Sequence, residues 1–262
     1  MKNFMRAFIT LILFVVMLGT GISLSAGQSQ STLTDGDAPR LLIFSKTEGY
    51  RHKSIPKGVE ALKNLGMEQQ WEMHHTENAG FFHEDSLSGF DAIIFLSSTG
   101  DILNSAQQQQ LVRFMKSGGG VVGIHAAADA EYDWPWYGKM MGGYFKSHPK
   151  VQEAAITVVD SVHRSTSFLP QRWLRTDEWY NFKTLNKEVH VLLNLDESSY
   201  EGGENGDYHP IAWYHEFGGG RVFYTGGGHT NESFEEPLFM KHVAGGIAYV
   251  LNGPSGKANA GE

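Results

Sequence analysis

The chain has 262 residues, 41% of them hydrophobic and 19% charged, with a formal net charge of −8 and no cysteine. That is enough chain to bury one α/β core. An acidic balance with no basic cluster past the first residues excludes a nucleic-acid footprint, and the missing cysteines exclude disulfide staples and thiol chemistry.

In chain order, residues 1–27 read as a secretory leader: Lys2 and Arg6, an apolar run from Ala7 to about Gly19, then Ser23, Ser25, Ala26 and Gly27. The run is short for a membrane span, which takes ~20 residues. Its cleavage would remove two positive charges, taking the formal charge from −8 to −10. The mature domain would then be periplasmic or extracellular, with no stable membrane insertion. Residues 28–39 read as a polar linker.

RLLIFS (40–45) predicts a buried strand. HKSIPKGVEALKNLG (52–66) has helical spacing at Ile55, Val59 and Leu62, with Gly66 as a stop. QWEMHH (70–75) and DAIIFLSS (91–98) predict strands, the second continuously apolar as in a parallel sheet covered on both faces. NSAQQQQLVRFMKSGG (104–119) predicts a capped helix with Leu111, Phe114 and Met115 on one side, and GVVGIH (120–125) a fourth strand. This alternation predicts an α/β fold with a doubly wound, mostly parallel sheet and helices on both faces.

The middle reads as an irregular insertion with extra strands. PWYGKMMGGYF (135–145) predicts a short helix, and 151–159, 190–196, 210–217 and 220–226 predict strands, the last two joined by a glycine-rich hairpin turn. Residues 233–251 close the domain as a helix, so the folded unit spans 40–252 and 253–262 read as a frayed, disordered tail.

In an open parallel sheet, ligands bind beyond the carboxyl ends of the strands. The residues there are Glu48, Arg51 and His52 after the first strand, Thr99 and Asp101 after the third, His125 and Asp129 after the fourth, and His229 after the last. A second set lies mid-chain: Trp134, Trp136, Tyr137, Phe145 and His148, then Asp177, Glu178, Trp179 and Tyr180. Aromatics among acids suit sugars, which stack through apolar ring faces and hydrogen-bond at their edges; the same rings also suit a subsidiary core. Adjacent on a strand, Asp177 and Glu178 point to opposite faces and do not make the paired carboxylates of a glycosidase.

EGYRH, GIHAAAD, DEWY, HPIAW and GRVFYTGGGHTNES together resemble the trehalose-utilisation ThuA-like family, over roughly residues 40–252. The resemblance implies a flavodoxin-like sheet similar to that of class I glutamine amidotransferases. In that pattern a cysteine sits at the sharp elbow after a strand, and a histidine follows the last strand with an acid nearby. Here His125 holds the elbow, His229 the post-strand position, and Glu232 lies three residues beyond. An imidazole does not replace a thiolate in acyl transfer, so glutaminase activity is excluded and the chemistry differs on a shared fold. Two uses of the elbow histidine stay open. One is proton transfer. The other is a site for zinc or another divalent metal built from His52, His125 and His229, with Glu178 or Asp129.

For substrate, the resemblance implies saccharide metabolism, including routes through 3-keto sugars made by a partner sugar oxidoreductase. A keto group acidifies the neighbouring C–H, so His-centred acid/base chemistry suffices to isomerise, eliminate or cleave a disaccharide or glycoside. On that reading His125, His229, Glu178 and Asp129 are catalytic. His52, Arg51, Asp101, Trp134, Trp136, Tyr137, His148 and Tyr180 hold the sugar. The competing expectation is a non-catalytic saccharide-binding or scaffold domain; a retained leader would instead make a membrane-tethered dehydrogenase partner.

Overall fold

A computed structural model describes residues 38–252. The leader, the linker up to Asp37 and the tail at 253–262 lie outside those residues. Nine strands form one sheet: β1 (Arg40–Phe44), β2 (Glu72–Thr76), β3 (Ala92–Leu96), β4 (Gly120–Ile124), β5 (Gln152–Val158), β6 (Arg172–Asp177), β7 (His190–Asp196), β8 (Pro210–Phe217) and β9 (Gly220–Thr225). Their order is β2-β1-β3-β4-β9-β8-β7-β5-β6. The first five in that order run parallel, in the flavodoxin-like doubly wound arrangement, and the other four extend the sheet antiparallel.

Helices cover both faces: α1 (Ile55–Gln69), α2 (Ser105–Lys116), α3 (Pro135–Met141) and α4 (Pro237–Leu251). α1 and α4 lie on the face that carries Leu96 and Phe223, α2 and α3 on the face of Phe95 and Gly123. Covered on both sides, β1 and β3 bury Leu41–Phe44 and Ala92–Leu96 completely, which is why they read as unbroken apolar runs. A capping box starts α2: the Asn104 side chain accepts from Gln107 N (3.0 Å), and the Gln107 side chain accepts from Asn104 N (2.9 Å).

Several boundaries differ from the sequence expectation, each for a local reason. α1 runs past Gly66, which is buried inside the helix where a Cβ would lie 2.5 Å from Met73 Cγ; the helix ends instead at left-handed Gln70. The predicted helix at 135–145 ends at Met141, because Gly142 adopts φ 94° and turns the chain into a short strand, Tyr144–Ser147, paired with Asn181–Lys183. The closing helix begins at Pro237, after a 3-10 turn at Glu232–Glu235, since proline favours the first helical turn. β6 is an additional strand whose polarity is inverted for an edge, with Leu174 half exposed and Arg175 buried.

β6 is the outermost strand, yet Asp177 at its end accepts hydrogen bonds from Gly228 N (2.9 Å) and His229 N (3.1 Å), just beyond β9. The antiparallel half therefore folds back over the carboxyl edge of the parallel half. Among the described residues no helix is long and apolar enough to cross a membrane.

Candidate functional site

β4 ends in buried Ile124 and turns at once into the 3-10 turn His125–Ala128. His125 takes φ 52°, a left-handed conformation uncommon for a residue with a Cβ, and is fully buried. The approach to this elbow requires Gly123, where a Cβ would lie 2.3 Å from Met141 Sδ. The ring is held on two sides. Nδ1 donates to Gly226 O (2.9 Å), and the Tyr180 ring lies 4.4 Å away. A carbonyl only accepts, so Nδ1 carries a hydrogen, and Nε2 is the atom turned toward the cluster.

His125 Nε2 faces two more histidines. His52 Nε2, from the loop after β1, and His229 Nδ1, from the loop after β9, each lie 3.2 Å from His125 Nε2. Glu178, the residue after β6, brings Oε2 to 3.2 Å from His229 Nδ1 and 3.6 Å from His125 Nε2. One ligand atom from each of the four residues lies within 4.8 Å of all the others.

The electrostatics follow from burial and mutual contact. Burial, then repulsion from His125 and His229, pushes His52 down to about 3, so it is neutral near pH 7. Its Nδ1 is buried without a hydrogen-bond partner. Burial pushes Glu178 up, but hydrogen bonds from His125 and His229 outweigh it and hold the carboxyl well below the usual range. Burial opposes protonation of His229, but its bond to Glu178 and the charges of Glu178 and Asp177 outweigh that and raise it.

Two buried networks set this geometry. Asp177 accepts from Glu178 N (2.9 Å), Gly228 N, His229 N and Ser233 Oγ (2.8 Å), so one carboxylate fixes the backbones of two cluster residues. Its counter-ion is Arg175, with Nη2 at 3.4 Å. On the other side, His209 lies between Glu197 Oε1 (2.7 Å from Nδ1) and Tyr180 O (2.8 Å from Nε2). Tyr180 O only accepts, so His209 Nε2 donates to it, and the segment 178–180 is tied down behind the cluster.

Of the other residues singled out in the sequence, His148 and Tyr180 join the cluster. His148 Nδ1 lies 3.0 Å from Glu178 Oε1, and Tyr180 packs on His125. Asp129 stands at the rim: burial raises its pKa against the opposing hydrogen bond from Tyr132 Oη (2.5 Å), with His125 and His148 among the charges acting on it. Arg51 is spent on a bidentate pair with Glu77 (2.7 and 3.1 Å), and Asp101 is exposed.

Three aromatics lie elsewhere than expected. Tyr137 is a core residue, fully buried, its hydroxyl donating to Ala127 O (2.9 Å) and its ring edge-on to Phe95. Trp134 and Trp136 flank Pro135 at the start of α3, stack on each other (4.8 Å, 17°), and reach Phe217 through Trp136 (5.1 Å). Phe217 precedes the amino end of β9, whereas His229 follows its carboxyl end. Glu232 is exposed, and the acid that meets His229 is Glu178. Asp177 and His209 were not assigned as positioning residues from sequence, although both lie within the quoted DEWY and HPIAW surroundings. Tyr50, 61% exposed and edge-on to His52 at 4.8 Å, also borders the cluster.

These features define a flavodoxin-like α/β protein with a buried polar centre at its strand ends. The sequence profile of the trehalose-utilisation family, ThuA, matches residues 40–250, and the chain belongs to that family, which is linked to carbohydrate processing. A solved ThuA-like protein from Bacteroides uniformis ATCC 8492 is 25% identical, with a TM-score of 0.69 over 82% of this chain and 92% of that one. Another, from Parabacteroides merdae ATCC 43184, is 17% identical, with a TM-score of 0.70 over 82% and 90%. The fold is also similar to part of a β-galactosidase from Bacillus circulans sp. alkalophilus (13% identity, TM-score 0.52, 82% of this chain and 30% of that one). No curated protein matches this chain.

Proposed function

We propose that His52, His125, His229 and Glu178 bind a divalent metal such as zinc. We further propose that the protein is an exported enzyme that processes a 3-keto disaccharide or glycoside by acid/base chemistry at this centre. The observation that supports this most is the convergence of the four side chains. A tetrahedral ion with bonds of about 2.0–2.1 Å has six donor–donor edges of about 3.3 Å; four of the six here are 3.2, 3.2, 3.2 and 3.6 Å, and all lie within 4.8 Å. The second ring nitrogen of His125 is already anchored on a carbonyl, as metal-ligating histidines usually are.

When bound, the ion would polarise a sugar carbonyl. The chain's own groups would do the rest. Asp129, biased toward its protonated form by burial, and His148 stand where a proton can be exchanged with a ligand at the rim. Tyr180 and Tyr50 offer ring surface beside the cluster. The leader accounts for export, and a partner sugar oxidoreductase would supply the keto group. One observation favours a second reading, a non-catalytic saccharide-binding or scaffold domain: four protein donors complete a tetrahedral shell, as in structural sites.

Elemental analysis of untagged protein, followed by a 3-keto-trehalose turnover assay, tests both. About one metal ion per chain is expected, lost in His125→Ala and Glu178→Gln, with turnover in the wild type reduced about 100-fold or more in both variants. A full complement of metal without turnover would support the scaffold reading. Protein that takes up no zinc, cobalt or manganese on titration would sink the metal assignment.

A further inference from the structure

A groove of about 1100 Å³ lies away from the histidine cluster. It runs between Lys139 of α3, the segment from Thr184 to His190 that leads into β7, and Phe217 at the β8–β9 turn. That turn feeds the amino end of β9, so the groove occupies the opposite edge of the sheet from His229.

Ring surface is concentrated there. Tyr214 in the groove wall is clamped between His163 (4.5 Å, 20°) and His190 (4.9 Å, 22°), with Tyr249 edge-on at 4.8 Å. His190, at the end of this stack, is exposed. The Trp134–Trp136 stack adjoins the groove through Phe217. Polar groups share the lining: Lys139 and Glu188 are exposed, and neither side chain makes an ion pair or hydrogen bond among the described residues. Thr184, also in the wall, holds φ 54°. A β-branched residue there is an outlier, and such strain clusters at ligand sites.

We infer that this groove is a second binding site, which takes a neutral oligosaccharide independently of the histidine cluster. The exposed ring of His190, with the partly exposed Phe217 and Tyr249 in the same wall and donors and acceptors beside them, matches the apolar faces and hydroxyl edges of sugars. One lysine against two glutamates, Glu188 and Glu216, gives no hold for an anion, and the charged rim does not suit a lipid. The volume is at or above the usual range for a small-molecule pocket, ~300–1000 Å³, which favours several sugar units over one. The inference draws on the family's link to carbohydrate and not on the metal assignment.

Titration calorimetry with maltohexaose, cellohexaose and trehalose tests it on the mature protein and three variants. At least one hexasaccharide should bind the wild type and His125→Ala equally, and bind at least about tenfold more weakly to His190→Ala and Glu188→Lys. Both groove positions are exposed, so these variants should keep the wild-type melting temperature. The inference is overturned if none of the three sugars binds the wild type. It is also overturned if binding vanishes in His125→Ala but survives in the groove variants, or if the groove variants change only the mass in sedimentation because a second copy fills the groove.

Discussion

At the scale of single residues, the cluster shows how much a site depends on groups that never touch a ligand. His209 is the clearest case. It donates from Nε2 to Tyr180 O, with Nδ1 against Glu197 Oε1, and so holds the segment that carries Glu178. His209→Ala should weaken zinc binding about tenfold, within the range that supporting residues usually contribute. His209→Gln, which keeps an N–H for the carbonyl, should recover part of it. A chelator-competition titration reads both, and equal affinity in all three proteins would remove His209 from the supporting network. The histidines were legible because each lies at or shortly after the carboxyl end of a parallel strand, a position that sequence exposes. Trp134 and Trp136 were misplaced because composition reports that rings and acids occur together, not which edge of the sheet they face.

At the scale of elements, β6 is the piece that sequence alone hid. Its outward Leu174 and inward Arg175 reverse the usual alternation, because Arg175 is wanted inside. There it pairs with Glu236 (2.6 Å) and Asp177, and its guanidinium lies over Phe239 at 4.4 Å. Removing the buried carboxylate should be costly. Asp177→Ala leaves Arg175 with Glu236 as its counter-ion but frees the buried amides of Gly228 and His229 and the Ser233 hydroxyl, so urea denaturation should show a loss of about 3 kcal/mol or more. A loss below about 1 kcal/mol would mean that the fold-back is held by other contacts. β7 and β8, by contrast, begin and end where sequence put them, because their apolar runs are bounded by turn residues.

At the scale of the whole molecule, buried neutral histidines make stability depend on pH. His242, fully buried in α4, donates from Nδ1 to Ser165 O (2.9 Å) and meets Thr225 Oγ1 at Nε2 (3.2 Å), and burial pushes it down to about 3. His52 is pushed down to about 3 as well. In the unfolded chain both titrate near 6.5, so between these values the unfolded state binds the extra protons. Their contribution is complete above pH 6.5 and is lost as pH falls toward 3, at about 1.4 kcal/mol per pH unit for each histidine. Metal-free protein should therefore lose stability steadily between pH 6.5 and 4.5 in urea melts. His242→Gln should flatten that slope by about 1.4 kcal/mol per unit, and an unchanged slope would show that His242 is not the group responsible.

By itself, the sequence determined what is local. Double-sided burial writes continuous apolar strands, caps and turn residues bound the elements, and the lack of cysteine closes off thiol chemistry. Alternating strands and helices sufficed for the doubly wound sheet, and the quoted motifs for the family. Only the tertiary structure decided that Glu178, and not Glu232, meets His229, and that the tryptophans stack on each other and on Phe217. Positions 52, 125, 178 and 229 are brought within a few ångströms by strand order and by the fold-back of β6, and the pairing of distant strands leaves no periodic trace along the chain.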